Sequence, residues 1–330
     1  MKIKERRILF ATLSFHTFIQ KDLTFLRRYY PVLVRHYRNP WDAIKILEGV
    51  ARSRISFSWF ADIHTFFTVL FSKIFRRPSV VIVAGYDAAK VPEISYGLAL
   101  SPVLFHLVRF VMKEADRVLT VDESLKKDII KNYRVKGNNI STLPFGFDHG
   151  VWNCTGKKED VVLTVAGISH EVVKRKGLET FVQAAALMPR VSFILAGPHL
   201  DDAAALLKKK APSNVHIPGP VPHEELPRLY SRAKVYCQLS RYEGLPNALC
   251  EAMLCECVPV GTRYCGIPTA IGDTGFYVPY GDVQATAEAV GKALKSQKGP
   301  EARERIIKNF PHERREKELL SLLEGFLKQK

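Results

Sequence analysis

The stretch SRYEGLPNALCEAMLCECVPV, residues 240–260, sets two carboxylates, Glu243 and Glu251, eight positions apart around a Gly-Leu-Pro-Asn turn. The run KVYCQLS leading into it reads as a strand that Gly244 and Pro246 break. Pro246 suits a first helical turn, because the N–H it lacks would be unpaired there anyway. A helix is predicted from there through about Cys257, with Pro259 ending it. Leu245, Leu249, Ala252 and Met253 share one face of that helix, which must be the buried one. Asn247 and Glu251 share another, and the free N–H groups of Asn247, Ala248 and Leu249 point the same way as the two acids. Such an end suits a ligand with an anionic part and a hydroxyl-rich part. A nucleotide-sugar has both. Spacing alone leaves a plainer reading open, in which Glu243 complements the helix dipole and Glu251 is solvated.

Outward from this segment, short β-branched runs alternate with amphipathic stretches along the whole chain. RRILFATL, RISFSWF, SVVIVAG and DRVLTVD read as strands in the first half. DVVLTVAG, VSFILAG, NVHIPG, KVYCQLS and CVPVGT do so in the second. Strand–helix alternation argues α/β architecture with parallel, doubly wound sheets. The alternation restarts after LPFGFDHGVWNCTGKKED, a segment without helical periodicity that reads as a linker near residues 144–160. We expect two Rossmann-like domains, 1–152 and 153–310, facing a cleft. Ligands of such sheets bind beyond the carboxyl ends of the strands.

The 330 residues carry 49 Lys+Arg against 33 Asp+Glu, a formal charge of +16 that favours polyanionic partners. With 47% hydrophobic and 25% charged residues, disorder is not the expectation. No apolar run reaches the roughly 18–20 residues that span a bilayer. The opening MKIKERRILFATLSF reads as a first strand rather than a leader. The chain is therefore expected in the cytoplasm. Four of six cysteines, Cys250, Cys255, Cys257 and Cys265, crowd together without paired C-x-x-C spacing, and three of them fall on the predicted helix. They read as buried reduced thiols rather than metal ligands.

A second polar constellation is VAGISHEVVKRKGLETF. A strand ends at Gly167, and a loop carries Lys174, Arg175 and Lys176 before a helix starting near Leu178. Three cations there suit a diphosphate, although a solvated basic loop has the same composition. No G-x-x-x-x-G-K-[ST] occurs, and no G-x-G-x-x-G follows the first strand. No D-x-D occurs either, so a metal held by paired aspartates is not expected, nor any other cofactor.

Taken together, these residues resemble the retaining glycosyltransferases of family 4, the group 1 type with the two-domain GT-B fold. EGLPNALCE resembles that family's E-x7-E motif. RYCGIPTAIGDTGFYVPYGD, NVHIPGPVPHEELPRLYS, ADRVLTVDESLKKDI and STLPFGFDHGVW extend the resemblance over most of residues 115–310. The resemblance implies that Glu243 contacts the transferred sugar and Glu251 the ribose hydroxyls. It implies backbone contacts from Gly244, Leu245, Pro246, Asn247, Ala248 and Leu249 to sugar or distal phosphate, with the base packed near Gly197 and Gly219. The family's Arg after the first strand of this domain is missing, since Ile168 follows Gly167. Lys176 matches the family's Lys, and Lys174 or Arg175 takes the place of the Arg. The reaction implied is metal-independent transfer of a hexose-type sugar, with retention, from a UDP- or GDP-sugar to a glycan, lipid-linked or small-molecule acceptor.

In the first domain SFHTF stands where family members carry a glycine-rich loop, so His16 and Thr17 are expected on the acceptor side. Asp87 stands about where family members place a catalytic His. It is read either as orienting the acceptor hydroxyl or as capping the following turn. His64, beside Phe66 and Phe67, reads as packed. The C-terminal helix, 311–330, is expected to cross back onto the first domain. FHTFIQKDLTFLRRYY and FFTVLFSKIFRRP mix aromatic and basic residues. They read either as a peripheral surface for the anionic inner face of the cell membrane or as core helices with basic outer faces. A nucleotide-sugar epimerase on the same fold, and a non-catalytic nucleotide-sugar or nucleic-acid binder, are the rival readings. No nucleic-acid motif supports the last.

Overall fold

The structure is a computed structural model that describes residues 6–328. Residues 1–5 of the basic opening, and 329–330 of the final helix, lie outside the described residues.

The chain divides into two compact units. The first runs to Pro144 and takes back the chain from Glu313 onward; the second is Phe145–His312. The passage between them falls ahead of residue 152. The reason lies in Trp152, which is buried within the second unit against the rings of His223 and Tyr230.

In the first unit, six parallel strands lie in the order β2-β1-β3-β4-β5-β6. They are β1 (Ile8–Thr12), β2 (Val32–His36), β3 (Ile55–Trp59), β4 (Ser79–Val83), β5 (Arg117–Thr120) and β6 (Ile140–Thr142). The helices between them are α1 (Thr17–Tyr29), α2 (Asp42–Ala51), α3 (Ile63–Ile74), α4 (Pro102–Glu114) and α5 (Glu123–Tyr133). Every residue of β1, β3 and β4 is buried, and the strands read as apolar, β-branched or aromatic runs with small hydroxyl residues, Thr12, Ser56, Ser58 and Ser79, among them. β2 was not expected as a strand. It is the edge of the sheet, half-buried throughout, and its apolar start Val32–Val34 is cut short by Arg35 and His36. On α1, Ile19, Leu23, Phe25 and Leu26 are buried while Lys21, Arg27 and Arg28 face water. The helix thus packs an apolar face inward and turns a basic face to water.

The second unit repeats the plan in the order β12-β11-β10-β7-β8-β9, all parallel. Its strands are β7 (Glu159–Val165), β8 (Ser192–Ala196), β9 (Val215–Gly219), β10 (Ala233–Gln238), β11 (Val258–Gly261) and β12 (Phe276–Tyr277). Helices α6 (His170–Lys176), α7 (Leu178–Ala186), α8 (Ala203–Lys210), α9 (Leu226–Arg232) and α10 (Asn247–Leu254) alternate with them. After β11 come α11 (Gly266–Ile271), α12 (Val283–Lys295), α13 (Gly299–Asn309) and the final α14 (His312–Lys328). α14 lies on the first unit, where Arg315 makes a bidentate, buried pair with Asp22 of α1 and caps the carbonyls of Leu143 and Pro144. The doubly wound parallel architecture expected for the chain is present in both units.

The order of the second sheet decides where a ligand could sit. From β7 the chain builds outward through β8 and β9, then returns to lay β10 on the other side of β7. The loops after β7 and β10 therefore diverge across a topological switch point, the place where parallel sheets open a crevice.

Candidate active site

The loop after β7 leads directly into α6. Ser169 caps this helix by accepting the Val172 amide, 3.3 Å, and Gly177 ends it with φ 63°. Lys174, Arg175 and Lys176 thus stand in the last turn of a short helix, not on a loop as expected. Cations at a helix C-terminus meet the negative end of its dipole, which accounts for the run. Gly177 has no room for a side chain: a Cβ there would lie 2.6 Å from the Leu239 carbonyl oxygen. The close approach draws α6 against the end of β10, and the Arg241 amide donates to the Arg175 carbonyl at 2.8 Å.

This contact brings the basic turn to Glu243. Lys176 Nζ lies 3.0 Å and an Arg175 terminal nitrogen 3.3 Å from Glu243 Oε1. Gln238 Nε2 at 3.1 Å and the Ser240 hydroxyl at 2.9 Å donate to the same oxygen. Among the described residues no hydrogen bond reaches Oε2. The Glu243 side chain is 13% exposed. Burial on its own would push this carboxyl up, but Lys176 and Arg175 together outweigh it and hold it below the ordinary carboxylate range. Lys174 takes no part. Its side chain is exposed, and its carbonyl accepts from the Gly177 amide and the Tyr280 hydroxyl. Gln238 and Ser240 were not anticipated. The three-residue spacing from Ser240 to Glu243 was the available signal.

Helix α10 begins one residue later than expected, with Pro246 at its N-cap, and ends at Leu254 rather than near Cys257. Pro246 offers no side-chain acceptor, so the first amides, of Asn247, Ala248 and Leu249, have no side-chain cap. Glu251 is not solvated: it is 7% exposed on the inner side of α10. Burial first, and the charge of Glu251 behind it, pushes the Tyr230 hydroxyl up. Glu251 and Glu243 both act in that direction on the Tyr236 hydroxyl, so one phenol senses both acids. Gly244 is held from behind by Gly266, where a Cβ would stand 1.9 Å from the Gly244 carbonyl oxygen. Leu245 is buried.

Gly197 and Gly219 meet at the ends of β8 and β9, where the Gly197 amide donates to the Gly219 carbonyl at 2.8 Å. Gly197 has φ 149°, and a Cβ on it would stand 1.9 Å from the Ala166 carbonyl oxygen. Nearby, His170, Asp201 and Asp202 bring ligand-type atoms together on the surface. Asp202 already accepts from or ion-pairs with the His170 ring at 2.8 Å, and Asp201 accepts the His170 amide at 3.0 Å.

In the first unit the expected residues separate. His16 and Thr17 are exposed just beyond β1, the His16 ring stacked on Phe18. Asp87 is 1% exposed and does not face outward. One of its oxygens accepts the Ala61 amide at 3.0 Å and the other the Gly85 and Ala84 amides at 3.0 and 3.3 Å. It ties the β3 and β4 loops together, the arrangement the turn-capping reading describes. His64 is packed, its Nε2 2.9 Å from the Trp59 carbonyl oxygen. Of the cysteines only Cys250 lies on α10. All six are thiols outside any disulfide, and burial pushes those of Cys255 and Cys257 up to about 12 and about 11.

Residues 156–312 match the family model described as glycosyl transferases group 1. The match falls within the second unit and the start of α14, and covers just under half of the chain. The capsular polysaccharide biosynthesis glycosyltransferase CapM of Staphylococcus aureus is 26% identical over 257 residues, 69% of this chain and 66% of that protein. The O-antigen chain mannosyltransferase B of Escherichia coli is 29% identical over 201 residues, 56% of this chain and 53% of that protein. The chain thus spans between half and two thirds of the length of these relatives. The crystal structure of Anabaena Alr3699/HepE in complex with UDP superposes with a TM-score of 0.80 over 97% of this chain and 100% of that one, at 17% identity. That likeness shows the GT-B fold.

Proposed function

We propose that this chain is an enzyme that moves a hexose-type sugar from a nucleoside-diphosphate sugar, a UDP- or GDP-sugar, to a hydroxyl of a glycan, lipid-linked or small-molecule acceptor. The transfer retains the anomeric configuration and needs no metal ion. The observation that carries this reading is the convergence of Lys176 and Arg175 on one oxygen of Glu243, beside the uncapped start of α10. The names of the relatives support it, as do the HepE structures with UDP and with UDP-glucose.

Breaking a sugar–diphosphate bond leaves negative charge on the departing oxygen and positive character on the anomeric carbon. Lys176, Arg175 and the amides of Asn247, Ala248 and Leu249 supply fixed positive charge for the first. Glu243 keeps the two cations gathered before the donor arrives, and its unbonded Oε2 accepts from a sugar hydroxyl. Glu251 takes the ribose hydroxyls. The acceptor oxygen bonds to the anomeric carbon on the face the diphosphate leaves, and its proton passes to the departing phosphate oxygen.

A thermal-shift screen against UDP-, GDP- and ADP-sugars, with Glu251→Ala alongside, tests the reading. One nucleotide class should stabilise the chain, and the variant should lose that response. Turnover should survive a chelator, and the product linkage should keep the donor's anomeric configuration by NMR. A sugar with an inverted ring stereocentre, formed from the donor in the absence of acceptor, would point instead to epimerase chemistry.

A further inference from the structure

We propose that the outer face of α2 is a docking surface for an anionic lipid bilayer. Trp41, Ile44 and Leu47 recur at three-residue spacing and are 77%, 62% and 36% exposed. They are not spare core: the opposite face of the helix packs Ile46 and Val50 with Leu9 and Tyr37. Gly49 fits so closely that a Cβ on it would lie 2.7 Å from a Leu9 methyl. The exposed apolar line is therefore set outward by a fully formed inner face.

Its flanks are cationic. Arg38, Lys45 and Arg52 are exposed beside it, while the acids of the same segment are already engaged. Asp42 is buried, pairs with Lys45 at 2.7 Å and accepts the amides of Arg38 and Asn39. Glu48 lies between Arg35 at 3.2 Å and Arg52 at 3.0 Å. Arg35, Arg38, Lys45 and Arg52 against Asp42 and Glu48 leave the segment positive, as the whole chain is at +16. A tryptophan and two aliphatic side chains rimmed by Lys and Arg complement an interface of acyl chains and anionic headgroups. The surface continues through the Arg38–His36 hydrogen bond, 2.9 Å, to His36 and the Phe15 ring against it, 5.1 Å away. This is the β1 loop that carries His16 and Thr17. On the transfer reading an acceptor carried on a lipid would reach that loop from the same surface, but the docking does not depend on that reading.

The test uses the full chain without nucleotide, mixed with vesicles of equimolar phosphatidylcholine and phosphatidylglycerol, or of phosphatidylcholine alone. Of the three tryptophans, Trp59 and Trp152 are fully buried, so acrylamide quenching of the fluorescence reads Trp41. Anionic vesicles should sediment the protein, shift its emission to the blue and shield it from quenching. Neutral vesicles and the variant Ile44→Glu/Leu47→Glu should each bind at least about tenfold more weakly. Both substituted side chains are exposed, so the variant's melting temperature and its nucleotide-sugar response should stay those of the parent. Equal sedimentation of parent and variant would overturn the proposal, as would a Trp41 that stays quenchable on vesicles. So would a parent that does not sediment but self-associates in light scattering where the variant is monomeric, which would make this face a contact between copies of the chain.

Discussion

Arg175 and Glu243, 68 positions apart in sequence, meet at 3.3 Å, and Lys176 joins them on the same carboxylate oxygen. Strand order produces this meeting. β10 returns to lie beside β7, so the segments that follow the two strands face each other across the switch point.

Replacing Lys176 by Met should loosen this cluster. Glu243 would keep its burial but lose the larger of the two cationic influences, so its carboxyl should rise toward the ordinary range. Because the folded state holds this carboxyl low, its stabilisation is present above the unfolded value of 4.5 and fades as pH falls through the folded one. The variant should show less of that loss on acidification below about pH 4.5, and bind the donor at least about tenfold more weakly at neutral pH. Acid denaturation followed by circular dichroism, and calorimetric titration with the donor, measure the two effects.

Gly266→Ala probes the support behind the loop. Its Cβ would collide with the Gly244 carbonyl, a backbone atom that must move for the methyl to fit. The shift falls next to Glu243, so donor affinity should drop by about tenfold or more. Isothermal titration of the variant, with its melting temperature as a control, reads this directly.

In the first unit, Arg315 and Asp22 form a buried bidentate pair, 9% and 6% exposed. Arg315→Met leaves the Asp22 carboxylate and the Leu143 and Pro144 carbonyls without that partner. Loss of one member of such a pair costs about 3–5 kcal/mol. Urea unfolding should show that loss, and Asp22→Leu combined with Arg315→Met should recover a large part of it.

His64 sets a pH dependence of opposite origin. Burial holds its pKa at about 3, against the Trp59 carbonyl that favours the charged ring. The unfolded chain takes up this proton near 6.5, so between 6.5 and about 3 it binds more protons than the folded one. Stability from this residue is therefore complete above 6.5 and is lost as pH falls, by at most about 1.4 kcal/mol per pH unit. Asp87, whose carboxyl burial raises, tilts the other way, so the comparison must be with His64→Gln. Denaturation midpoints between about pH 7 and about pH 5 should fall more steeply for the parent than for the variant.

Much of this protein was legible in the order of its residues because the signals were local. The fully buried strands announced themselves by their β-branched and aromatic residues, whereas β2, cut short by Arg35 and His36, and the two-residue β12 at the sheet edges are too brief to do so. The Glu243–Glu251 spacing and the uncapped turn between them follow from consecutive residues, to within one position at Pro246. What side chains face is a different matter. Asp87 reads the same in sequence whether it points to an acceptor or to the amides of Ala61 and Gly85, and burial chose the second. Helix α1 and helix α2 both mix aromatic, aliphatic and basic residues, yet the first turns its apolar side inward and the second leaves Trp41 and Ile44 in water. The sequence by itself determined the alternation of strands and helices, the acids at 243 and 251, and the basic turn at 174–176. Only the tertiary structure decided that Lys176 and Arg175, but not Lys174, reach Glu243, and on which oxygen. A helix repeats every 3.6 residues and a strand every two, so faces are written locally. The neighbour of a strand is set by sheet order and packing, which no stretch of consecutive residues contains.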